Sequence, residues 1–275
     1  MAMRVVVAAC LMIGALASRG AVAQDRKIDE LMAKTADYVA QFVHQFSNVV
    51  AEETLVQETT VPRRKRTIRS DYLLVRFPND NEWQSFRDPS EVDGKPVRDK
   101  QDRITKLFLD PPADALRRVR ELQREGARHN LLDIGSINNP LLVMGFLQDG
   151  YRPRFRFNMA GLDKKLGPNV RTVQFQEFKI PSLIKGNGNQ DIMSRGLVSI
   201  EEDTGRVVKT ELKIGQGAGA ITVTTLYKFD EELGINVPVE MRDWYPDGTG
   251  EIRGVATYGR FRRFQVATQE EVKPR

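Results

Sequence analysis

The sequence predicts an α+β fold: a curved antiparallel sheet, an open half-barrel of about eleven strands, with an N-terminal helix and a two-helix insert as a lid. Three observations predict it. Apolar residues recur at three- and four-residue spacings through residues 26–50, a second helical stretch falls within 101–148, and most of the remainder alternates apolar and polar positions with period two. The links between extended segments are short, which favours antiparallel neighbours, because each parallel pair would need a crossover of about a dozen residues or more. A sheet of such breadth curls, and its apolar concave side then needs a cover.

The first element is a short basic start at Arg4, an apolar stretch over residues 5–17 and the small-residue triplet Ala21-Val22-Ala23. These are the parts of a secretory signal covering residues 1–23, with the mature chain, residues 24–275, expected to begin at Gln24 as one domain. The stretch is too short for the roughly 18 to 20 residues that cross a bilayer, so no transmembrane segment is expected. Removing it would take away Arg4, Arg19 and the lone Cys10, leaving a chain without thiols. Such a chain suits an oxidising compartment, periplasmic or secreted, and depends on its core rather than on crosslinks.

Residues 26–50 place Ile28, Leu31, Met32, Tyr38, Val39, Phe42, Val43 and Phe46 on one stripe of a long amphipathic helix. From Glu52 the period changes, and residues 54–61, 66–77 and 83–87 read as strands, with Asp93-Gly94 as a hairpin turn. Within the insert, Pro111-Pro112 leads into a basic helix carrying Ala115, Leu116, Val119, Leu122 and Ala127. Asn138-Asn139-Pro140 then opens a second helix, apolar nearly all round, from Leu141 to Leu147. From Tyr151 onward the chain reads as strands, clearest in Arg154-Phe155-Arg156-Phe157 and in Ile221, Val223, Thr225, Tyr227 and Phe229. A change of face between Phe175 and Phe178 suggests a bulge.

Most motifs favour structural roles. Gly215-Gln216-Gly217-Ala218-Gly219 resembles a phosphate loop, yet strand sequence follows where a helix start would be needed, so it reads as a hairpin loop. The run Arg63-Arg64-Lys65-Arg66, with Arg69, would suggest nucleic acid in an intracellular chain. In an exported one, no nucleic-acid partner is expected, and the run reads as a charged strand edge or as a surface for anionic headgroups. His44 and His129 lie in no catalytic motif, and neither GxSxG, HExxH nor a calcium loop occurs. With one cysteine and two histidines, neither a metal site nor a cofactor is expected. Glu52 with Glu53, and Glu201 with Glu202, cannot meet as acid–base pairs in extended backbone, since neighbours on a strand face opposite ways. A hydrolase built on other carboxylates remains an alternative. The 13 Phe residues either fill a solid core or line a cavity for an apolar ligand.

Near the C-terminus, Val223-Thr224-Thr225 through Phe229-Asp230, Leu233-Gly234-Ile235-Asn236-Val237-Pro238-Val239-Glu240-Met241 and the strand from Ile252 to Phe264 resemble the closing strands of one family. It is the periplasmic lipoprotein carrier and outer-membrane lipoprotein-sorting family, with the related anti-sigma-factor regulator, and the order of elements over 24–266 is similar as well. The chain is longer than the simplest carriers at 62–110 and 181–195, and no one position aligns with the family's carrier arginine. The resemblance implies a non-catalytic carrier for a lipid, an acyl chain or a lipoprotein. On that expectation Tyr72, Leu74, Phe155, Phe157, Phe175, Tyr227 and Phe229 form the inner face, and Leu142, Val143, Phe146 and Leu147 the lid. An envelope protein-interaction module without a cavity, with a protein partner, is the competing expectation.

Overall fold

In a computed structural model the chain is described over residues 5–47, 49–76, 83–97, 115–131, 137–246 and 250–263. Helix α1 (Val5–Phe46) leads into β1 (Val49–Thr60), β2 (Arg63–Arg76), β3 (Trp83–Val92) and β4 (Lys95–Pro96). Helices α2 (Ala115–Ala127) and α3 (Leu142–Phe146) follow. The chain then forms β5 (Phe155–Leu162), β6 (Val170–Glu177), β7 (Ile184–Lys185), β8 (Asp191–Ile192), β9 (Ser194–Glu201), β10 (Val207–Ile214), β11 (Ile221–Asp230), β12 (Ile235–Pro246) and β13 (Glu251–Arg263).

Eleven strands make one curved, unclosed antiparallel sheet, ordered β4-β3-β2-β1-β13-β12-β11-β10-β9-β6-β5, and β7 with β8 forms a small separate hairpin. Four sheet strands precede the helical insert and seven follow it, and their sum is the total that the sequence predicts. The C-terminal strand sits at the centre, pairing with β1 on one side and β12 on the other. Asp93 and Gly94 both adopt positive φ in the two-residue link between β3 and β4, the backbone that this hairpin turn requires.

The inner face can be followed rung by rung. Ile68, Leu55, Ala256, Met241, Thr225, Thr210, Val198, Val173 and Met159 are successive cross-strand partners from β2 to β5. Of these, only Met159 is less than fully buried. Because side chains alternate along every strand, this register puts the apolar half of each strand on the same side.

Helix α1 lies on that side. Its stripe from Ile28 through Leu31, Met32, Val39, Phe42 and Phe46 is buried, and Phe42 stacks on Phe46 at 5.1 Å between ring centroids. Lys34 Nζ donates to Glu202 O (2.8 Å), and a Cβ on Gly205 would fall 2.6 Å from Lys34 O, so the β9–β10 turn seats the helix only with glycine there. Helix α2 packs along β3 instead, where Gln123 Nε2 donates to Ser85 O (2.9 Å) and Gly126 lies against Arg87 O and Pro89. Of the two insert helices, then, α3 alone is set over the centre of the sheet.

Two expectations change and one holds. The shift of face after Phe175 is not a bulge: β6 ends at Glu177, and the Phe178 amide turns away to Arg154 O (3.0 Å). The run Arg63-Arg64-Lys65-Arg66 does lie at a strand edge, because it pairs with β1 on one side while the pairing of β2 with β3 begins only at Ile68. It occupies the tip of the β1–β2 hairpin, where Lys65 meets Glu58 (3.0 Å). Helix α1 ends at Phe46, so Val49 and Val50 belong to β1. Pro111-Pro112 and residues 264–275 lie outside the described residues. Among the described residues, no helix is long and apolar enough to cross a membrane.

Candidate functional site

Ten of the eleven expected inner-face and lid residues converge. Tyr72, Leu74, Phe155, Phe175 and Tyr227 from the sheet, and Val143, Phe146 and Leu147 from the α3 segment, are buried in one apolar cluster. Phe157 and Leu142 pack against it, half-buried. Phe146 stacks on Phe155 (5.0 Å) and meets Phe175 edge-on (6.3 Å), so the segment is a plug whose aromatic ring enters the aromatic corner of the sheet. Phe229 is the exception. It continues the parity of Val223, Thr225 and Tyr227, but it is 47% exposed, with the Arg206 guanidinium 4.4 Å from its ring centroid. Its cross-strand partner Asn236 is buried and donates its amide to Tyr38 Oη on α1 (3.2 Å), but Phe229 itself lies outside that cover, so inward parity alone does not mean burial.

Hydrogen bonds from three strands fasten the entry to the plug. Tyr72 Oη on β2 donates to Asn139 Oδ1 (2.8 Å), which also accepts the Leu141 amide (2.9 Å) and so starts the α3 turn. Arg87 on β3 donates through Nη1 to Asn138 Oδ1 (3.1 Å) and through Nη2 to Asn138 O. Tyr227 Oη on β11 donates to Pro140 O. Asn138, Asn139 and Pro140 are thus tied to both halves of the sheet, with the plug hanging from them.

Around Arg87 lies a polar island that sequence reasoning missed. Its guanidinium forms an ion pair with Glu53, whose side chain is wholly buried, and it lies 5.7 Å from the Tyr72 ring centroid. Burial works most strongly against the Arg87 charge, but Glu53, with Tyr258 and Tyr72, outweighs it and keeps the guanidinium protonated. Asp243 faces the same side from β12, and burial pushes its carboxyl up to about 6, although Arg87 pulls the other way. Burial likewise raises the phenols of Tyr72, Tyr227, Tyr245 and Tyr258 well above their usual range, so all four are hydroxyl donors at neutral pH.

Two buried polar atoms of this island, Gln57 Nε2 and Asn138 Nδ2, make no hydrogen bond among the described residues, whereas Asp243 faces the Tyr245 hydroxyl and the Gly254 amide, and Glu53 faces the Tyr258 hydroxyl. Gln57 Oε1 does accept the Leu131 amide (2.9 Å), and the Asp243 carboxyl leans on Gly254, where a Cβ would fall 2.0 Å from Oδ1. The parity of Met241, Asp243 and Tyr245 is a signal that could have placed Asp243 inward. Nothing comparable marks Arg87, because the face it takes depends on the shift in β2–β3 pairing between Arg69 and Ser70.

The remaining candidates take ordinary structural positions. Glu52 faces outward to Arg260 (3.2 Å) while Glu53 faces inward, the opposition the sequence predicts. His44 is exposed, and His129 supplies its carbonyl to Arg66 Nη1 (2.9 Å). The glycine-rich stretch from 215 to 219 connects adjacent antiparallel strands, with Gly215 and Gly217 at positive φ. Among the described residues, no group of three or more His, Cys, Asp and Glu side chains could hold a metal ion.

No family model and no curated protein matches the sequence. Among solved structures, it is similar to a provisionally assigned outer membrane lipoprotein-sorting protein domain from Vibrio parahaemolyticus, at 14% identity and a TM-score of 0.42 over 84% of this chain and 93% of that one. It is also similar to a DUF1329 family protein from Desulfovibrio piger, at 10% identity and 0.43 over 83% and 91%. A LolA superfamily protein from Nitrosomonas europaea matches at 11% identity and 0.34 over 84% and 94%.

Proposed function

We propose that the chain is an exported, non-catalytic carrier for an acyl chain or similar elongated apolar ligand, which enters the concave face by displacing residues 138–147. One observation carries this reading. The apolar inner face is closed by a five-residue helix held through a few hydrogen bonds, above buried polar atoms that have none. A buried polar group without a partner costs about 1–3 kcal/mol, so closing this segment gains apolar contact at the expense of polar satisfaction. The two conformations are thereby kept close in free energy, as a carrier that must load and unload requires.

Residues 1–23 serve as the leader in this reading. N-terminal sequencing of exported protein should therefore start at Gln24. A fluorescent fatty-acyl probe should bind the protein saturably, and F157D should abolish binding without unfolding the sheet, because Phe157 is half-buried beside Phe155 and Phe175. A folded sample that shows no saturable binding would overturn the carrier reading. Glu53 is committed to Arg87, so we assign the inner carboxylates to fastening and not to hydrolysis; turnover in an esterase or glycosidase panel that disappeared in E53Q or D243N would reverse that assignment.

A further inference from the structure

Strand register on the outer face gathers cations into a single rung. From β5 to β2, cross-strand pairing links Arg156, Gln176, Arg195, Lys213, Thr222, Trp244, Arg253, Glu58 and Lys65. Five of these nine are basic and one is acidic. Glu211 and Glu251, on the same face nearby, pair with Lys213 (3.7 Å) and Arg253 (2.6 Å) without burying them.

Just past this rung, at the end of the sheet where β6 and β1 finish, the chain exposes apolar side chains. Ile180 is 71% exposed, Val61 59% and Phe178 43%. The tip that carries Phe178 and Ile180 is held in place. Arg154 Nη2 donates to Lys179 O (3.3 Å) and also to Pro181 O, while the buried Glu177 carboxylate accepts the Leu183 amide (2.8 Å) and the Ser194 hydroxyl (3.1 Å). Arg156 lies 4.8 Å from the Phe178 ring centroid and Lys179 lies 5.9 Å from it.

We propose that this end of the sheet docks on the surface of an anionic phospholipid bilayer, with Ile180, Phe178 and Val61 entering the interface and the cationic rung lying against the headgroups. Apolar tips one rung beyond a row of Arg and Lys, a separation of about 7 Å at strand geometry, match the order of acyl boundary and charged headgroup. Cations alone would suit any polyanion. The immobilised, exposed isoleucine and phenylalanine select a surface that offers hydrocarbon beside negative charge.

The test uses protein purified after export, with W83F leaving Trp244 as the reporter inside the rung, and equimolar phosphatidylglycerol/phosphatidylcholine vesicles. The protein should sediment with these vesicles, fail to do so with phosphatidylcholine alone, and be released by high salt. Brominated phosphatidylglycerol should quench Trp244. R156Q/R253Q should lower partitioning about 25-fold, at about fivefold per cation. I180D should release the protein from the vesicles while acyl-probe binding and the circular dichroism spectrum persist. Equal binding to neutral vesicles, binding without Trp244 quenching, or capture of an envelope protein by the Ile180 tip with no affinity for vesicles would each overturn the proposal. None of these results bears on the acyl-probe titration, so the two readings fail separately.

Discussion

Arg87 holds two things at once, the buried Glu53 carboxylate and the backbone of Asn138. Its removal should therefore cost more than an ordinary ion pair. R87M is expected to destabilise the protein by about 3–5 kcal/mol in urea titration, because it strands a buried charge, and R87M/E53L should recover much of that loss. Asp243 has the opposite sign. Its folded-state pKa of about 6 lies above its unfolded value, so the native state binds the extra proton between about pH 4 and 6. Stability should fall as pH rises through that window and then level off. D243N should remove the slope and raise stability at pH 8 by about 1–3 kcal/mol, read as the difference between the two pH profiles. Burial of Tyr72, Phe155, Phe175 and Tyr227 was legible from period-two alternation, since each is apolar at an inward position. The Glu53–Arg87 pair was not, because an arginine among 42 basic residues carries no sign of which partner a distant strand will offer.

At the level of single elements, the α3 segment is recognisable from its composition, since a helix apolar on every side has to be covered. What the sequence could not show is that its cover is the sheet itself, or that Asn138, Asn139 and Pro140 are clamped from β2, β3 and β11. Y227F removes one clamp, and should cost about 0.5–1.5 kcal/mol of stability while tightening acyl-probe binding, since the plug is then easier to lift. Tighter binding from a less stable protein is not expected of a plain core residue. Gly196 on β9 tests the sheet side. A Cβ there would fall 1.8 Å from Glu211 O and 2.8 Å from the Phe175 ring, its cross-strand partner. G196A should therefore lose about 3 kcal/mol or more, because backbone cannot yield as a flexible side chain would.

For the whole molecule, the curved sheet and its helical cover followed from counting: many extended segments, short links and two helical stretches left few other arrangements. The expected strand total was right because the hairpins are local. Two features lay beyond that logic, namely the exposure of Phe229 beside the buried Asn236 and the cationic rung on the outer face, since both depend on register and packing between distant segments.

The strand order has a consequence for synthesis. Among the described strands β13 is the last to leave the ribosome, yet it joins the first four strands of the sheet to the other six. Until it arrives, the nascent polypeptide holds two partial sheets with unpaired margins facing each other, and the sequence separation of that final zippering makes it slow. A chain halted before residue 251 should thus be held by chaperones that bind unpaired strands, whereas the finished one should release them.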